Sequence, residues 1–418
     1  MKKNIIVGLD LGTTKVCAVI AEKTESNLKV LGFGVAPSDS LTKGTVANIA
    51  KTSQAIIDAL DVAKNQAGIE VRTLNVGVAG EHITSLRHRN FVTINGEDDE
   101  ITQSDLDRLK ADVRTIKIPG DRQILHIIPE EFSIDHQGGI DNPIGMCGSR
   151  LEAVNHVVLA AIPAIQNIKR SVEKAGYVVD NFILQPIASS VSVLEENEKD
   201  LGVLLIDIGG GTTDIAIFHD NSIKHTKVFG VAGSQVTNDI RESLGIVTAD
   251  AEQLKKDYGY ASQEAIIKEE TIYIKGVGAR GNIKIPITLL TQIISVRMKE
   301  LFALIDRELQ QSGLKSKIKA GVVLTGGGSL LRGCTELAES VLGLPCRIGV
   351  PLELGEGLSD EIGSPEFATV SGLIKGVPGT TSSDTWQGAN NKKGKGTSSI
   401  SGAIKEMIRK IKEFFDEL

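Results

Sequence analysis

The stretch that most constrains the fold of this chain is an apolar run broken by glycines and threonines at residues 203–218. The first apolar half ends on Asp207, three glycines follow at 209–211, and a second apolar half begins after Asp214. This pattern predicts a strand, a tight turn and a returning strand. Glycines in the turn allow positive φ and leave no Cβ between backbone N–H groups and a ligand. Taken alone, the segment fits either a phosphate-binding hairpin or an ordinary hairpin with a glycine bulge.

A related pattern lies near the start of the chain. Residues 5–10 form a predicted strand that ends on Asp10, a turn follows at 11–14, and residues 15–20, apolar after Lys15, are the predicted return strand. The spelling Asp-x-Gly-x-Thr at 10–14 thus recurs, in a longer form, at 207–214. Such a recurrence predicts two related domains that face each other across a ligand cleft. The pair is a far more specific signal for phosphate binding than either copy.

A third glycine-rich turn follows the apolar run that begins at residue 320. The triplet at 326–328 is predicted to end a strand and open a helix. Backbone N–H groups at a helix start favour negative charge, and a turn without side chains lets a flat base lie against it. Alone, this triplet is weak evidence for a binding site. Together with the two predicted phosphate hairpins, it predicts the nucleoside side of the same site.

Composition limits the class of protein. A length of 418 residues predicts about two to three domains. The net charge of −7 argues against a general nucleic-acid-binding surface. No uncharged apolar run reaches membrane-spanning length, and the first apolar run is too short for a signal peptide. The four cysteines lack metal-site spacing and are predicted to be reduced core residues of a cytoplasmic protein: Cys17, Cys147, Cys334 and Cys346.

The segments between the glycine turns predict alternating helices and strands. Residues 51–69 have helical apolar spacing that ends at Gly68, and 71–78 is a predicted strand. The sequence pattern changes over residues 85–162, which indicates an inserted α/β module with a Gly- and Pro-rich loop at 137–148. Its histidines lack partners at ligand spacing and are predicted to be satisfied or surface residues rather than a zinc site: His126, His136 and His156.

Three further polar residues each have two interpretations. Gln185 precedes a proline suited to a first helical turn, so it either reaches into the cleft to position a water or caps that helix. Glu252 and Lys255 are one helical turn apart. They are either a surface ion pair or contacts to a nucleoside.

The order and spelling of these motifs resemble the superfamily of actin, the seventy-kilodalton heat-shock chaperones and the sugar kinases. Residues 10–14 look like its first phosphate motif and 207–214 like the second. Residues 184–190 look like the connecting helix and 324–328 like the adenosine motif. Within the superfamily, the inserted module is similar to that of the FtsA family of bacterial cell-division proteins. The segments that carry this likeness are 126–135, 139–145 and 148–152.

The resemblance implies an α/β fold, the actin-like duplicated ATPase-domain fold, with two domains around a nucleotide cleft, an FtsA-type inserted subdomain and a C-terminal amphipathic helix. The expected divisions are 1–84 with 163–196, 85–162, 197–227 with 306–375, 228–305, a linker at 376–399 and the helix at 400–418.

It also implies a site for ATP with Mg²⁺ between the two hairpins. Asp10 and Asp207 are expected to hold the hydrated metal. The residues expected around the phosphates are Gly12, Thr13, Thr14, Lys15, Gly209, Gly210, Gly211, Thr212 and Thr213. The residues expected around the nucleoside are Glu252, Lys255, Gly326, Gly327 and Gly328.

The structure of residues 376–418 can be predicted from their composition and periodicity, without the family resemblance. Residues 376–399 have the composition of a flexible linker, and in 400–418 apolar residues recur at three and four positions. This predicts an amphipathic helix that lies on a membrane surface, with a groove on a partner protein as the alternative. The predicted lipid-facing residues include Ile404, Met407, Ile408, Ile411, Phe414 and Phe415.

The resemblance implies a protein that polymerises head to tail on the inner face of the cytoplasmic membrane at the division site. There it would anchor filaments of the tubulin-like protein FtsZ and recruit later division proteins through residues 85–162. Arg297 is the candidate contact for the FtsZ C-terminal tail, although a surface ion pair explains it equally well. ATP would be bound with weak or no hydrolysis.

Two other classes of function compete with this one. A soluble ATPase or small-molecule kinase would use the same cleft, since phosphoryl transfer mainly needs positioning and metal. The tethered amphipathic helix argues against it. A chaperone would need a peptide-binding domain after the nucleotide domain, and the linker and helix leave no room for one.

Overall fold

The first part of the chain forms a mixed sheet with one long helix. The computed structural model describes residues 4–24, 27–95, 98–274 and 281–376. Its first elements are β1 Asn4–Leu11, β2 Lys15–Lys23, β3 Leu28–Pro37, β4 Leu41–Thr42, β5 Thr45–Val46, α1 Ile49–Ala67 and β6 Thr73–Val78. Helix α1 begins because the Asn48 side chain accepts the Lys51 N–H, and it ends at Gly68 with φ 65°. The predicted helix and its glycine cap are confirmed.

The inserted segment folds as an antiparallel sheet with one helix. Its elements are β7 Thr84–Thr93, α2 Gln103–Val113, β8 Arg122–Ile134, β9 Gln137–Ile140 and β10 Arg150–Ala161. The strand order is β7-β10-β8-β9. Strand β8 is continuous through Pro129, and its ladder with β10 shifts register there. Part of the predicted loop at 137–148 is strand β9.

The chain then returns to the first sheet and crosses to a second one. The connecting elements are α3 Ile162–Lys174, β11 Val178–Leu184, α4 Gln185–Val193 and α5 Glu196–Leu201. Strand β11 lies parallel to β6. The next elements are β12 Val203–Ile208, β13 Thr213–His219, β14 Ser222–Phe229, α6 Gly233–Leu244, α7 Thr248–Tyr258, β15 Thr271–Ile274, β16 Ile283–Pro286 and α8 Ile287–Ser312.

The last described elements complete both sheets. They are β17 Gly321–Thr325, α9 Cys334–Leu342, β18 Cys346–Ile348, β19 Glu356–Gly357 and α10 Ala368–Lys375. The first sheet has the order β11-β6-β1-β2-β3-β19, and the second has the order β14-β13-β12-β17-β18. Helix α10, which lies at the end of the described residues, packs on β1 and β2, whereas α4 packs on β12 and β13. The two halves are therefore tied together by helices that each contact the sheet of the other half.

The duplication predicted from the two hairpins is present in the strand pairing. In each half a hairpin (β1–β2 and β12–β13) is extended by a third antiparallel strand, β3 or β14. In each half the first strand of the hairpin also pairs in parallel with a later strand, β6 or β17. Asp10 and Asp207 therefore lie at equivalent positions, each one residue before the end of the first strand of its hairpin.

Two sequence-based expectations are wrong. The glycine triplet at 326–328 opens only a short 3-10 helix, Gly327–Leu330, and not an α-helix; α9 begins at Cys334. The cysteines are not all core residues. All four are free, but Cys147 is exposed and Cys346 is half-buried. Cys147 lies in the loop between β9 and β10, where no sheet packs over it.

The predicted C-terminal helix and all but the first residue of its linker lie outside the described residues. Among the helices that are described, none combines the length and apolar content needed to cross a bilayer.

Candidate functional site

The turns of the two predicted hairpins lie against each other. A Cβ added to Gly211 would lie 2.2 Å from Thr13 Oγ1, and one added to Gly210 would lie 2.6 Å from Thr14 Cγ2. The space that side chains at 210 and 211 would need is thus taken by threonines of the other half. The structure therefore brings together the residues that the sequence assigned to phosphates.

The two turns are closed by the same hydrogen bond. The Gly12 N–H donates to the Lys15 carbonyl at 2.9 Å, and the Gly209 N–H donates to the Thr212 carbonyl at 2.9 Å. The pairing behind the turns is also the same, since Asp10 faces Cys17 and Asp207 faces Asp214. The two hairpins are hence alike in backbone and differ in chemistry. Where one carries Lys15 and Cys17, the other carries Thr212 and Asp214.

Asp10 lies behind the first turn and is held by one amide. Gln185 Nε2 donates to Asp10 Oδ1 at 2.8 Å. The pKa of Asp10 is raised to about 7, first by burial and then by the Asp207 charge, while Lys15 opposes both. Gln185 is the first residue of α4, and its side chain points to the cleft rather than to the end of its own helix. Of the two interpretations of Gln185, this hydrogen bond favours the one that places its side chain in the cleft.

Asp207 lies behind the second turn and is held by two hydroxyls. Ser189 Oγ donates to Asp207 Oδ2 at 2.6 Å, and Thr369 Oγ1 donates to the same oxygen at 3.3 Å. Burial raises the pKa of Asp207, while these two hydrogen bonds lower it. Two donors on one oxygen fix the direction of the carboxylate.

Asp214 adds a third carboxylate to this buried group. Its pKa is raised well above the ordinary value, first by burial and then by the Asp207 charge, although Thr212 opposes the shift. Its Oδ1 is buried and has no hydrogen-bond partner among the described residues. Buried carboxylates in such a cluster are stabilised by a cation. Carboxylate oxygens are the ligands that hard divalent ions such as Mg²⁺ prefer, but among the described residues no group of three or more His, Cys, Asp or Glu side chains could hold a metal ion.

Lys15 is held at the mouth of the first turn by the end of the described chain. Its Nζ lies 2.7 Å from Glu366 Oε2 and 4.3 Å from the centroid of the Phe367 ring. Both partners belong to the 3-10 turn Pro365–Phe367 that leads into α10. Lys15 thus lies beside the turn, and its charge is already paired in this structure.

Glu252 and Lys255 lie against the second hairpin. They form an ion pair of 2.7 Å, and Lys255 Nζ also donates to the Gly233 carbonyl at 3.0 Å. Gly233 in turn donates its N–H to the Gly209 carbonyl at 3.0 Å. Burial lowers the pKa of Lys255, while the Glu252 carboxylate opposes that change. The pair is partly buried beside the second glycine turn and is not a free surface pair.

The third glycine turn lies directly on the end of β12. Gly326 has φ 81°, and a Cβ there would lie 2.3 Å from Asp207 Oδ1 and 2.6 Å from the Ile208 carbonyl. A Cβ added to the neighbouring Gly327 would have more space, because the nearest atom it would meet is Glu366 Cβ at 3.9 Å. The turn follows β17, which is parallel to β12, so it lies at the carboxyl ends of both strands. Ligands of open α/β sheets bind at such ends.

Comparison with known proteins agrees with this geometry. A family model described as "Cell division protein FtsA" matches residues 204–372, and one described as "SHS2 domain inserted in FTSA" matches residues 80–159. The cell division protein FtsA of Pseudomonas aeruginosa is 44% identical over 371 residues, which cover 88% of this chain and 88% of that protein. The chain belongs to the FtsA family. The FtsA of Escherichia coli K12 is 34% identical over 380 residues, 89% of this chain and 90% of that protein.

Solved structures with a similar fold are actin-like proteins. The PilM-PilN type IV pilus biogenesis complex matches with a TM-score of 0.63 at 19% identity, over 88% of this chain and 97% of the other. MreB5 of Spiroplasma citri bound to ADP matches with a TM-score of 0.55 at 15% identity, over 88% and 94%. This FtsA-family protein therefore has the actin-like α/β fold and a role in cell division.

Arg297 is not part of the FtsA hairpin site. On α8 its Nε lies 2.6 Å from Asp239 Oδ2 on α6, and it also contacts Glu300. The ion pair that was its alternative explanation is thus present, and contact with an FtsZ tail stays a prediction. The predicted lipid-facing residues, Ile404 to Phe415, lie outside the described residues.

Several residues of the FtsA site were missed from the sequence. Ser189 lies within the connecting-helix motif at 184–190, but nothing in that motif indicates which hydroxyl meets Asp207. Thr369 and Glu366 carry no local signal at all. They reach the hairpins because the chain after β19 folds back over the first sheet and forms α10. Asp214 was visible in the motif at 207–214, and its position opposite Asp207 follows from hairpin register.

Proposed function

We propose that this FtsA-family protein binds ATP with Mg²⁺ between its two hairpins. The observation that carries the proposal is the meeting of the turns around Gly211 and Thr13 in front of three buried carboxylates. Asp10 and Asp207 would hold the hydrated metal. Backbone N–H groups of the two turns would hold phosphate oxygens. MreB5, of the same fold, is described as bound to ADP, which supports a nucleotide in this cleft.

The remaining site residues would act around that core. Lys15, released from Glu366, would add a positive charge beside the phosphates. Glu252 and Lys255 would contact the nucleoside, with Gly326, Gly327 and Gly328 against the base. Gln185 would orient a water once its hydrogen bond to Asp10 opens. Its present engagement with Asp10 favours a protein that holds ATP over one that hydrolyses it quickly.

The occupied cleft would favour polymers of this chain on the inner face of the cytoplasmic membrane. There the proposed helix at 400–418 would insert its apolar side into the lipid surface. The proposed subdomain at 228–305 would bind the FtsZ C-terminal tail and so anchor FtsZ filaments. The insertion at 85–162 would recruit later division proteins. Family membership and the actin-like fold support this assignment over a soluble kinase.

The membrane proposal is tested by co-sedimentation with vesicles of anionic bacterial lipid composition, with ATP and Mg²⁺ present. The full-length chain is expected to pellet with the vesicles, and a truncation after Gly376 is expected to stay in the supernatant. Ile408→Glu should lose most of the binding, because it places a charge in the apolar face. Ser398→Glu adds the same charge in the linker and should bind like the parent. Equal pelleting of the full chain and the truncation would overturn the anchor.

The FtsZ contact is tested with a peptide of the FtsZ C-terminal tail. Arg297→Ala is expected to weaken peptide binding about tenfold, because it removes a cation from the proposed docking subdomain. Arg307→Ala, on the same helix, is the matched control and should bind as the parent does. Fluorescence anisotropy measures both. Equal affinity of all three proteins would leave Arg297 as a structural partner of Asp239.

A further inference from the structure

The inserted sheet contacts both halves of the cleft through one face. Ser85, Val158 and His126 form one cross-strand row over β7, β10 and β8. His156 is two residues from Val158 on β10, so it lies on the same face. Val157 faces the opposite way and packs in the cluster that contains Val113 of α2. One face of the sheet is thus covered by α2, and the face with the two histidines lies on the rest of the molecule.

His126 holds the backbone next to Gln185. The Leu184 N–H donates to His126 Nε2 at 3.0 Å, and both residues are buried. Leu184 ends β11, and the next residue, Gln185, donates to Asp10. Burial lowers the pKa of His126 to about 4, so its ring is neutral and can accept this hydrogen bond. The imidazole therefore fixes the point from which Gln185 reaches the first hairpin.

His156 holds the strand that leads to the second hairpin. Its Nε2 lies 3.0 Å from Thr226 Oγ1 on β14, and Ser85 Oγ donates to the Thr226 carbonyl at 3.4 Å. Strand β14 continues through Gly230 to α6, whose Gly233 and Ser234 N–H groups donate to the carbonyls of Gly209 and Gly210. The same sheet face thus touches the chain segment that supports the second turn.

We propose that the inserted module positions both halves of the nucleotide cleft, through His126 on the Asp10 side and through His156 on the Gly209 side. The inference rests on the proposed function of that cleft. Neither histidine is among the residues proposed to contact the nucleotide, and each acts through a neighbouring residue, so both are positioning residues. Because coupling between sites is reciprocal, a partner that shifts the inserted sheet changes nucleotide affinity, and bound nucleotide changes the affinity for that partner.

The test measures the affinity of the full-length chain for a fluorescent ATP analogue with Mg²⁺. His126→Ala and His156→Ala are each expected to bind about tenfold more weakly. His126→Gln returns an acceptor oxygen and should recover most of the loss. His136→Ala removes an exposed histidine of the same module, 80% exposed in its side chain, and should leave the affinity unchanged.

A double-mutant cycle separates positioning from general destabilisation. In a Gln185→Ala background, His126→Ala should change the affinity less than about twofold, because its effect is transmitted through Gln185. His156→Ala should keep its tenfold effect there. Thr226→Val keeps the shape of the side chain but removes the hydroxyl that contacts His156. It tests the second contact without opening a cavity and should weaken binding as His156→Ala does.

The outcomes distinguish this inference from the proposed function. If the parent protein does not bind the analogue, the nucleotide site itself is wrong. If the parent binds and the His126, His156 and Thr226 variants bind equally well, positioning by the inserted module is overturned. It is also overturned if His126→Ala costs the same affinity with and without Gln185, because the loss would then be unspecific.

Discussion

Replacing Gly326 with alanine is expected to abolish nucleotide binding and to lower the free energy of unfolding by about 3 kcal/mol. The backbone there has φ 81°, which an L-residue rarely adopts, and the new Cβ would lie 2.3 Å from Asp207 Oδ1 and 2.6 Å from the Ile208 carbonyl. Neither atom can withdraw easily, because Ser189 holds the Asp207 carboxylate and Ile208 ends a fully buried strand. Denaturant unfolding and titration with an ATP analogue measure the two effects.

Gly343→Ala is the matched control for this substitution. Gly343 has φ 66°, and a Cβ there would meet no atom of the described residues within 4 Å. It should therefore cost only the backbone strain, about 1 kcal/mol, and leave nucleotide affinity unchanged. Equal destabilisation by the two alanines would show that the contact with Asp207 and Ile208 adds nothing.

Asp10→Asn is expected to make the nucleotide-free protein more stable and to weaken binding of Mg²⁺-ATP by about a hundredfold. The pKa of Asp10 is raised from 3.8 to about 7 in the folded state. The folded protein therefore binds a proton more tightly than the unfolded chain. The stability from this proton is complete below the unfolded pKa and is lost as the pH rises through about 7, by about 4 kcal/mol at most. Asparagine cannot ionise and removes that loss, but it is a poorer metal ligand.

The measurement is the denaturant midpoint at pH 5 and pH 8, with and without Mg²⁺-ATP. Without ligand, the parent should be less stable at the higher pH, and Asp10→Asn should reduce the difference. Asp39→Asn is the control, because Asp39 is exposed and Lys51 lowers its pKa, so its removal gives no such gain. A parent whose ligand-free stability does not fall between these pH values would contradict the assignment of Asp10 as a buried, uncompensated carboxylate.

Much of the fold could be predicted because its signals are local. Apolar spacing and a terminal glycine predict helix α1. An apolar run, a glycine turn and a second apolar run predict each of the two hairpins. The amino-acid sequence of the inserted segment was sufficient to indicate the family. The failures are also local in origin. Part of the loop predicted at 137–148 is strand β9, and the triplet at 326–328, predicted to open a helix, opens only a short 3-10 helix.

The sequence by itself determined that two aspartates lie near the ends of two related strands and that glycines follow them, since turn chemistry depends on neighbouring residues. Only the tertiary structure decided what surrounds those aspartates. Lys15 meets Glu366 across 351 positions, Asp207 meets Thr369 across 162, and His126 meets Leu184 across 58. Such contacts exist because distant segments pack on the same sheets, and no periodicity in the sequence encodes which side chains then meet.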